Sequence, residues 1–153
     1  LAQSSIGQYE VAATPLQMVM VASAIANNGV LMKPHVVKSV TGSDLKVIQT
    51  IQPEQAGRPI SEGTAKQLKQ MMENVVSDGT GSPAQVRGMT IGGKTGTAQS
   101  DPNRPPYAWF VGYATEPHVA VVAFVQSTSV ERNDISGGKV AAPVFKAVVE
   151  SLR

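Results

Sequence analysis

The chain has 153 residues, 42% of them apolar and 16% charged, which suits one globular domain with a substantial core and excludes a disordered chain. The formal net charge is only +2 and the basic residues are scattered, so no face is dense enough in Lys and Arg to hold nucleic acid. With no cysteines and two distant histidines, His35 and His118, in strand-like stretches, thiolate chemistry is excluded and no metal site or other cofactor is expected.

The opening residues Leu1 to Ser5 read neither as a natural start nor as a signal peptide, so the chain is expected to be a piece of something longer. Thr14-Pro15 predicts a helix start, with Thr as N-cap and Pro at the first helical position. Leu16 to Ala26 is apolar nearly all round, which predicts a buried helix, and Asn27-Asn28-Gly29 supplies its stop. The apolar run Met18 to Ala26 is too short to span a bilayer.

Val30 to Gln52 reads as short strands around a turn at Thr41-Gly42-Ser43-Asp44, and Pro53 to Pro59 as a linker. Ser61 caps a second helix, with Ala65, Leu68, Met72 and Val75 on its inner face and Asp78-Gly79 at its end. Met71 and Met72 read as core filler. The period then changes: Thr90 to Gln99, Tyr107 to Ala114 and Val119 to Gln126 predict three strands, the last two joined tightly through Glu116-Pro117. Val140 to Leu152 returns to helix, with Pro143 in the first turn and Val144, Val148 and Leu152 on one face. The order predicts an α+β layer with an antiparallel sheet.

The densest chemical signal is Gly92-Gly93-Lys94-Thr95-Gly96-Thr97-Ala98-Gln99. From Gly88 it fits the phosphate-cradling P-loop of nucleotide-binding proteins, but that loop needs a following helix, and Gly96, Pro102, Pro105 and Pro106 stand in its place. As a strand, the same residues put Thr95 and Thr97 on one face, roughly 7 Å apart, where both hydroxyls can donate to a carboxylate. The glycines leave the backbone open to an added peptide strand, the Thr97 N–H can face a developing oxyanion, and Lys94 supplies positive charge. The bland reading, a Gly-rich edge strand with an ordinary surface Lys, is equally compatible with these residues alone.

Ser136-Gly137-Gly138-Lys139 fits the Ser-x-x-Lys nucleophile pattern of serine acyl enzymes. That pattern needs a helix to bring Lys one turn beyond Ser, and two glycines would each cost about 1 kcal/mol there, so Ser136 reads as a loop residue. Ser4 and Ser5 have no legible His-Asp partners.

Taken together, these segments resemble the penicillin-binding proteins. Lys94 to Gln99 looks like their third signature. Ser5-Ile6-Gly7-Gln8, Ala13-Thr14-Pro15-Leu16-Gln17-Met18 and Ala24-Ile25-Ala26-Asn27-Asn28-Gly29 resemble segments that precede it. Trp109 to Tyr113 is similar to their fourth strand, and Gly137-Gly138 with Val140 to Phe145 to the start of their last helix. The resemblance runs through the whole chain, is highest to monofunctional class B enzymes of the actinobacterial PBPA type, and implies a five-stranded antiparallel sheet with flanking helices, incomplete in this chain.

It also implies a serine D,D-transpeptidase that cross-links peptidoglycan stem peptides through acyl-D-Ala-D-Ala, is acylated by β-lactam antibiotics, and sits on the extracytoplasmic face of the cytoplasmic membrane, anchored by an N-terminal segment. By that resemblance Lys94 belongs to the catalytic polar network, the Thr95 and Thr97 hydroxyls hold the substrate carboxylate, Gly96 keeps the strand edge open, and the Thr97 N–H forms half of the oxyanion hole. The family's Ser-x-x-Lys and Ser-x-Asn motifs would both lie before Leu1, so residues 1–153 are expected to be the C-terminal portion of one transpeptidase domain, inactive alone. Its implied partners are the upstream part of the same polypeptide and cell-division proteins. A non-catalytic β-lactam sensor of the same fold would share the Lys-Thr-Gly strand.

Overall fold

Thr14 starts the first helix through a full capping box: the Gln17 N–H donates to its hydroxyl at 3.2 Å, and its own N–H donates to the Gln17 side chain at 2.8 Å. The structure, a computed structural model, describes residues 4–8, 11–99 and 103–153. A short 3-10 turn, Ser4–Ile6, precedes that helix, α1, Pro15–Ala26. It stops where predicted, because Asn28 (φ 54°) and Gly29 (φ 87°) enter the left-handed region and turn the chain away.

Next come β1 (Leu31–Met32), β2 (Ser39–Thr41), β3 (Val47–Thr50) and β4 (Gln55–Gly57), paired antiparallel as β1 with β4 and β2 with β3. The predicted strands and turn are present, but β4 occupies the segment read as linker. Its Gln-Ala-Gly sequence has no alternation, and only the partner strand β1 makes it a strand. The second helix, α2 (Glu62–Ser77), is capped by Ser61, whose hydroxyl accepts the Thr64 N–H at 3.1 Å.

A 3-10 turn, Ser82–Ala84, leads to β5 (Ile91–Ala98), β6 (Tyr107–Ala114) and β7 (Val119–Val125), an antiparallel sheet in the order β5-β6-β7 with unbroken register. A π-helical turn, Gly137–Ala141, then runs into α3, Ala142–Ser151. Among the described residues this main sheet has three strands, against the five that the resemblance implies. No helix among them is long and apolar enough to cross a membrane.

Strand alternation sends Phe110 and Tyr113 to opposite faces of β6. Phe110 meets Phe145 of α3, ring centroids 4.7 Å apart, within a core that also holds Val76, Val86, Ile91, Ala123 and Val149. Tyr113 meets Ile25 of α1 and Met72 of α2 on the other face. Its hydroxyl donates to Glu73 Oε1 at 3.2 Å and to the Lys69 carbonyl at 3.3 Å, tying the sheet to α2. Burial and the nearby Glu73 carboxylate push the Tyr113 hydroxyl well above the usual tyrosine range.

Four expectations about faces are corrected. The buried face of α3 is Ala142, Phe145 and Val149, while Val144, Val148 and Leu152 form an exposed stripe. Both sets have helical spacing, and the bulk of Phe145 fits the space over Phe110. In α2 the inner position is Val76 rather than Val75, and Met71 is 61% exposed beside a buried Met72. In α1 only Ala22, Ala24 and Ile25 are buried, and Leu16 and Val21 are more than half exposed. His35 and His118 lie just outside strands, and both are exposed.

Candidate functional site

β5 carries Lys94 to Thr97 in the middle of an eight-residue strand whose second edge pairs with no other strand among the described residues. Gly92 and Gly93 lie flat under Tyr113 and Phe110, where a Cβ would come within 2.4 and 2.2 Å of the rings. The large aromatics of β6 thus require glycines where their rings cross β5.

The direction of the backbone follows from a side-chain contact of Gln8. Gln8 Nε2 donates to the Thr97 carbonyl at 3.3 Å, and Lys94 Nζ donates to the Thr95 carbonyl at 2.6 Å. Gln8 lies outside the sheet, so the Thr97 carbonyl faces away from β6, and that of Thr95, two residues earlier on the same strand, faces the same way. In an antiparallel strand a residue's N–H and C=O point to the same side, which turns the Thr95 and Thr97 N–H groups to the open edge as well. The Lys94 ammonium stands at that edge, although alternation roots its side chain on the face opposite to Thr95 and Thr97.

Thr95 and Thr97 share the face that carries the π-helical turn. The Gly137 N–H donates to Thr97 Oγ1 at 3.3 Å, and Thr95 Oγ1 lies 2.8 Å from Thr80 Oγ1. A threonine hydroxyl has one proton and two acceptor positions, so Thr97, which accepts from Gly137, keeps its proton for something else. The turn reaches β5 because it is made of glycines. A Cβ on Gly137 would lie 2.3 Å from the Trp109 carbonyl oxygen and 2.7 Å from that of Gly96, and one on Gly138 would lie 2.4 Å from the Thr80 carbonyl oxygen. The arrangement offers two hydroxyls, an outward N–H and an ammonium along one open strand edge, a set suited to a carboxylate and a peptide carbonyl.

Of the residues singled out from sequence, Lys94, Thr95, Gly96 and Thr97 are contiguous on this edge, as an extended strand requires. The P-loop alternative fails on geometry, since Lys94-Thr95 lie inside β5 and no described residue between Gly96 and β6 is helical. Ser136 is indeed outside a helix. Its hydroxyl caps the π-helical turn by accepting the Lys139 N–H at 3.2 Å, while the Lys139 ammonium pairs with Asp134 rather than with Ser136. Gln8, Thr80 and Gly137 are the site neighbours that sequence reasoning missed as such. A cavity of about 660 Å³ between Val76, Arg87, Ile91 and Lys146 includes none of Lys94 to Thr97. Among the described residues no cluster of three or more His, Asp or Glu is placed to hold a metal.

The family model described as the penicillin binding protein transpeptidase domain matches residues 1–150. A peptidoglycan D,D-transpeptidase PbpA of Mycolicibacterium smegmatis is 41% identical over 154 residues, covering 97% of this chain and 31% of its own length. Stage V sporulation protein D of Bacillus subtilis is 34% identical, over 94% of this chain and 23% of its own. A penicillin G acyl-enzyme complex of penicillin-binding protein A from M. tuberculosis superposes with a TM-score of 0.84 at 37% identity, covering 99% of this chain and 34% of that one. The chain therefore spans about a third or less of the relatives it matches.

Proposed function

This chain belongs to the penicillin binding protein transpeptidase family, and we propose that it supplies the substrate-carboxylate wall of a peptidoglycan D,D-transpeptidase that β-lactams acylate. The observation that carries the reading is the open edge of β5, where the Thr95 and Thr97 hydroxyls, the outward Thr97 N–H and the Lys94 ammonium meet. A stem peptide ending in D-Ala-D-Ala lies along that edge as an extra strand. Its terminal carboxylate accepts from Thr95 and Thr97, with Lys94 adding positive potential.

The nucleophilic serine belongs to the portion of the domain before Leu1, together with the Ser-x-Asn motif. Its oxygen bonds to the carbonyl carbon of the penultimate D-Ala, and the oxygen of the tetrahedral intermediate takes a hydrogen bond from the Thr97 N–H. The C–N bond then breaks, the terminal D-Ala leaves as an amine after gaining a proton, and an amine of a neighbouring stem peptide displaces the serine from the ester. A β-lactam follows the same path as far as the acyl-enzyme. Gly96 keeps the edge free for the peptide backbone. The working protein faces the extracytoplasmic side of the cytoplasmic membrane, among cell-division partners.

Intact-mass spectrometry of the full-length protein with penicillin tests the reading. One adduct mapping outside residues 1–153, abolished or strongly slowed by exchanging both Thr95 and Thr97 for Val, is the expected result. An adduct on Ser136, or acylation indifferent to the double exchange, refutes it. Transpeptidation of stem peptides by the same protein separates an enzyme from a sensor.

A further inference from the structure

The loop after α2 places a third threonine beside Thr95 of β5. Thr80 Oγ1 lies 2.8 Å from Thr95 Oγ1. We propose that Thr80 is a positioning residue for carboxylate recognition: its hydroxyl donates to Thr95 and so turns the single Thr95 hydroxyl proton outward, toward the ligand carboxylate. The assignment rests on the transpeptidase reading above.

At 2.8 Å one of the two hydroxyls donates to the other. If Thr95 donated inward, it would present only lone pairs to an incoming carboxylate, which itself can only accept. The order Thr80 to Thr95 to carboxylate satisfies every group, and each bond polarises the next. Thr97 reaches the same state by another route, accepting the Gly137 N–H from behind. Both β5 hydroxyls are thereby set as donors before the ligand arrives, so little reorganisation remains on binding.

The backbone that carries Thr80 is held in place. The Gly81 N–H donates to the Val75 carbonyl at 2.9 Å and the Ser82 N–H to the Gly79 carbonyl at 3.2 Å, pinning the loop to the end of α2. The Thr80 carbonyl lies under Gly138, where no side chain fits.

The test compares acylation of the full-length protein by a penicillin with a free carboxylate and by its methyl ester. Thr80→Val keeps the shape and removes the donor. It is expected to slow acylation by the free acid about tenfold, the scale of one hydrogen bond in a chain ending on a charged group, and to leave the slower ester reaction and the melting temperature unchanged. Thr80→Ser, which restores the hydroxyl, is expected to recover the wild-type rate with the free acid. Equal slowing on acid and ester, or no slowing while Thr95→Val slows the acid reaction, overturns the assignment and leaves the transpeptidase reading intact. A wild-type protein that no penicillin acylates overturns both.

Discussion

Exchanging Gly137 for Ala is the sharpest test of how the last helix is coupled to the strand edge. The added Cβ would lie 2.3 Å from the Trp109 carbonyl oxygen and 2.7 and 2.8 Å from the oxygen and nitrogen of Gly96. All three are backbone atoms of paired strands, so none yields as a flexible side-chain end would. The Gly137 φ is outside the left-handed region, and the conflict is therefore purely steric. Overpacking of this kind costs about 1–3 kcal/mol. A loss of ~2 kcal/mol corresponds to a fall of about 4–8 °C in the melting temperature of a domain of about 150–250 residues, and to a smaller fall in a larger one.

Relief requires the π-helical turn to back away from β5, which breaks the bond from the Gly137 N–H to Thr97 Oγ1. The full-length variant is therefore expected to melt lower and to be acylated more slowly by penicillin, measured by thermal unfolding and by time-resolved intact mass. Gly96→Ala is the control. Its Cβ meets side-chain atoms of Trp109 alone, the nearest at 3.3 Å, so stability should change by less than about 1 kcal/mol. Wild-type melting and acylation in Gly137→Ala would refute the steric argument. Lower melting with unchanged acylation would refute the coupling between α3 and Thr97.

Phe145→Ala removes a fully buried ring packed on Phe110 and should cost about 3–5 kcal/mol, read as a lowered denaturant midpoint, whereas Val148→Ala on the exposed stripe should cost far less. The raised Tyr113 hydroxyl makes stability depend on alkaline pH. Its contribution is complete below the unfolded tyrosine pKa, about 10, and is lost as the pH rises toward the folded value, because the unfolded chain releases that proton first. Tyr113→Phe should flatten that part of the stability profile above about pH 10, and an unchanged profile would count against the burial argument. Gln8→Ala removes the donor to the Thr97 carbonyl and should slow penicillin acylation with no change in melting temperature. Equal rates would mean that the strand edge holds its direction without Gln8.

Elements fixed by neighbours in sequence were legible. The Thr14 and Ser61 caps, the Asn-Gly stop after α1 and the three strands β5 to β7 follow from capping chemistry and a change of hydrophobic period. Where two residues satisfied one period equally, the sequence alone could not choose. Val75 and Val76 both sit at helical spacing from Met72, and Val144 and Phe145 both open a stripe in α3; the packing partner decides each case. β4 is the reverse, a strand with no local signal that exists because β1 is its partner.

The site shows the same division. Lys94 to Thr97 were readable because strand alternation alone places them, and so was the shared face of the two threonines. What holds them is non-local: Thr80 is 15 positions from Thr95, Gly137 is 40 from Thr97 and Gln8 is 89 from Thr97. The usable trace of these contacts was the glycines. Gly79 and Gly81 flank Thr80, and Gly137-Gly138 lie between Ser136 and Lys139, beside a strand that is itself stripped of side chains at Gly92, Gly93 and Gly96. Read singly, each looks like a loop or a helix breaker. Read together, they mark backbone brought against backbone, which places Thr80 Oγ1 beside Thr95 and the Gly137 N–H beside Thr97. On the proposal that β5 holds the ligand carboxylate, the contacts that orient its donors come from the loops, through Thr80 and Gly137, rather than from the signature strand itself.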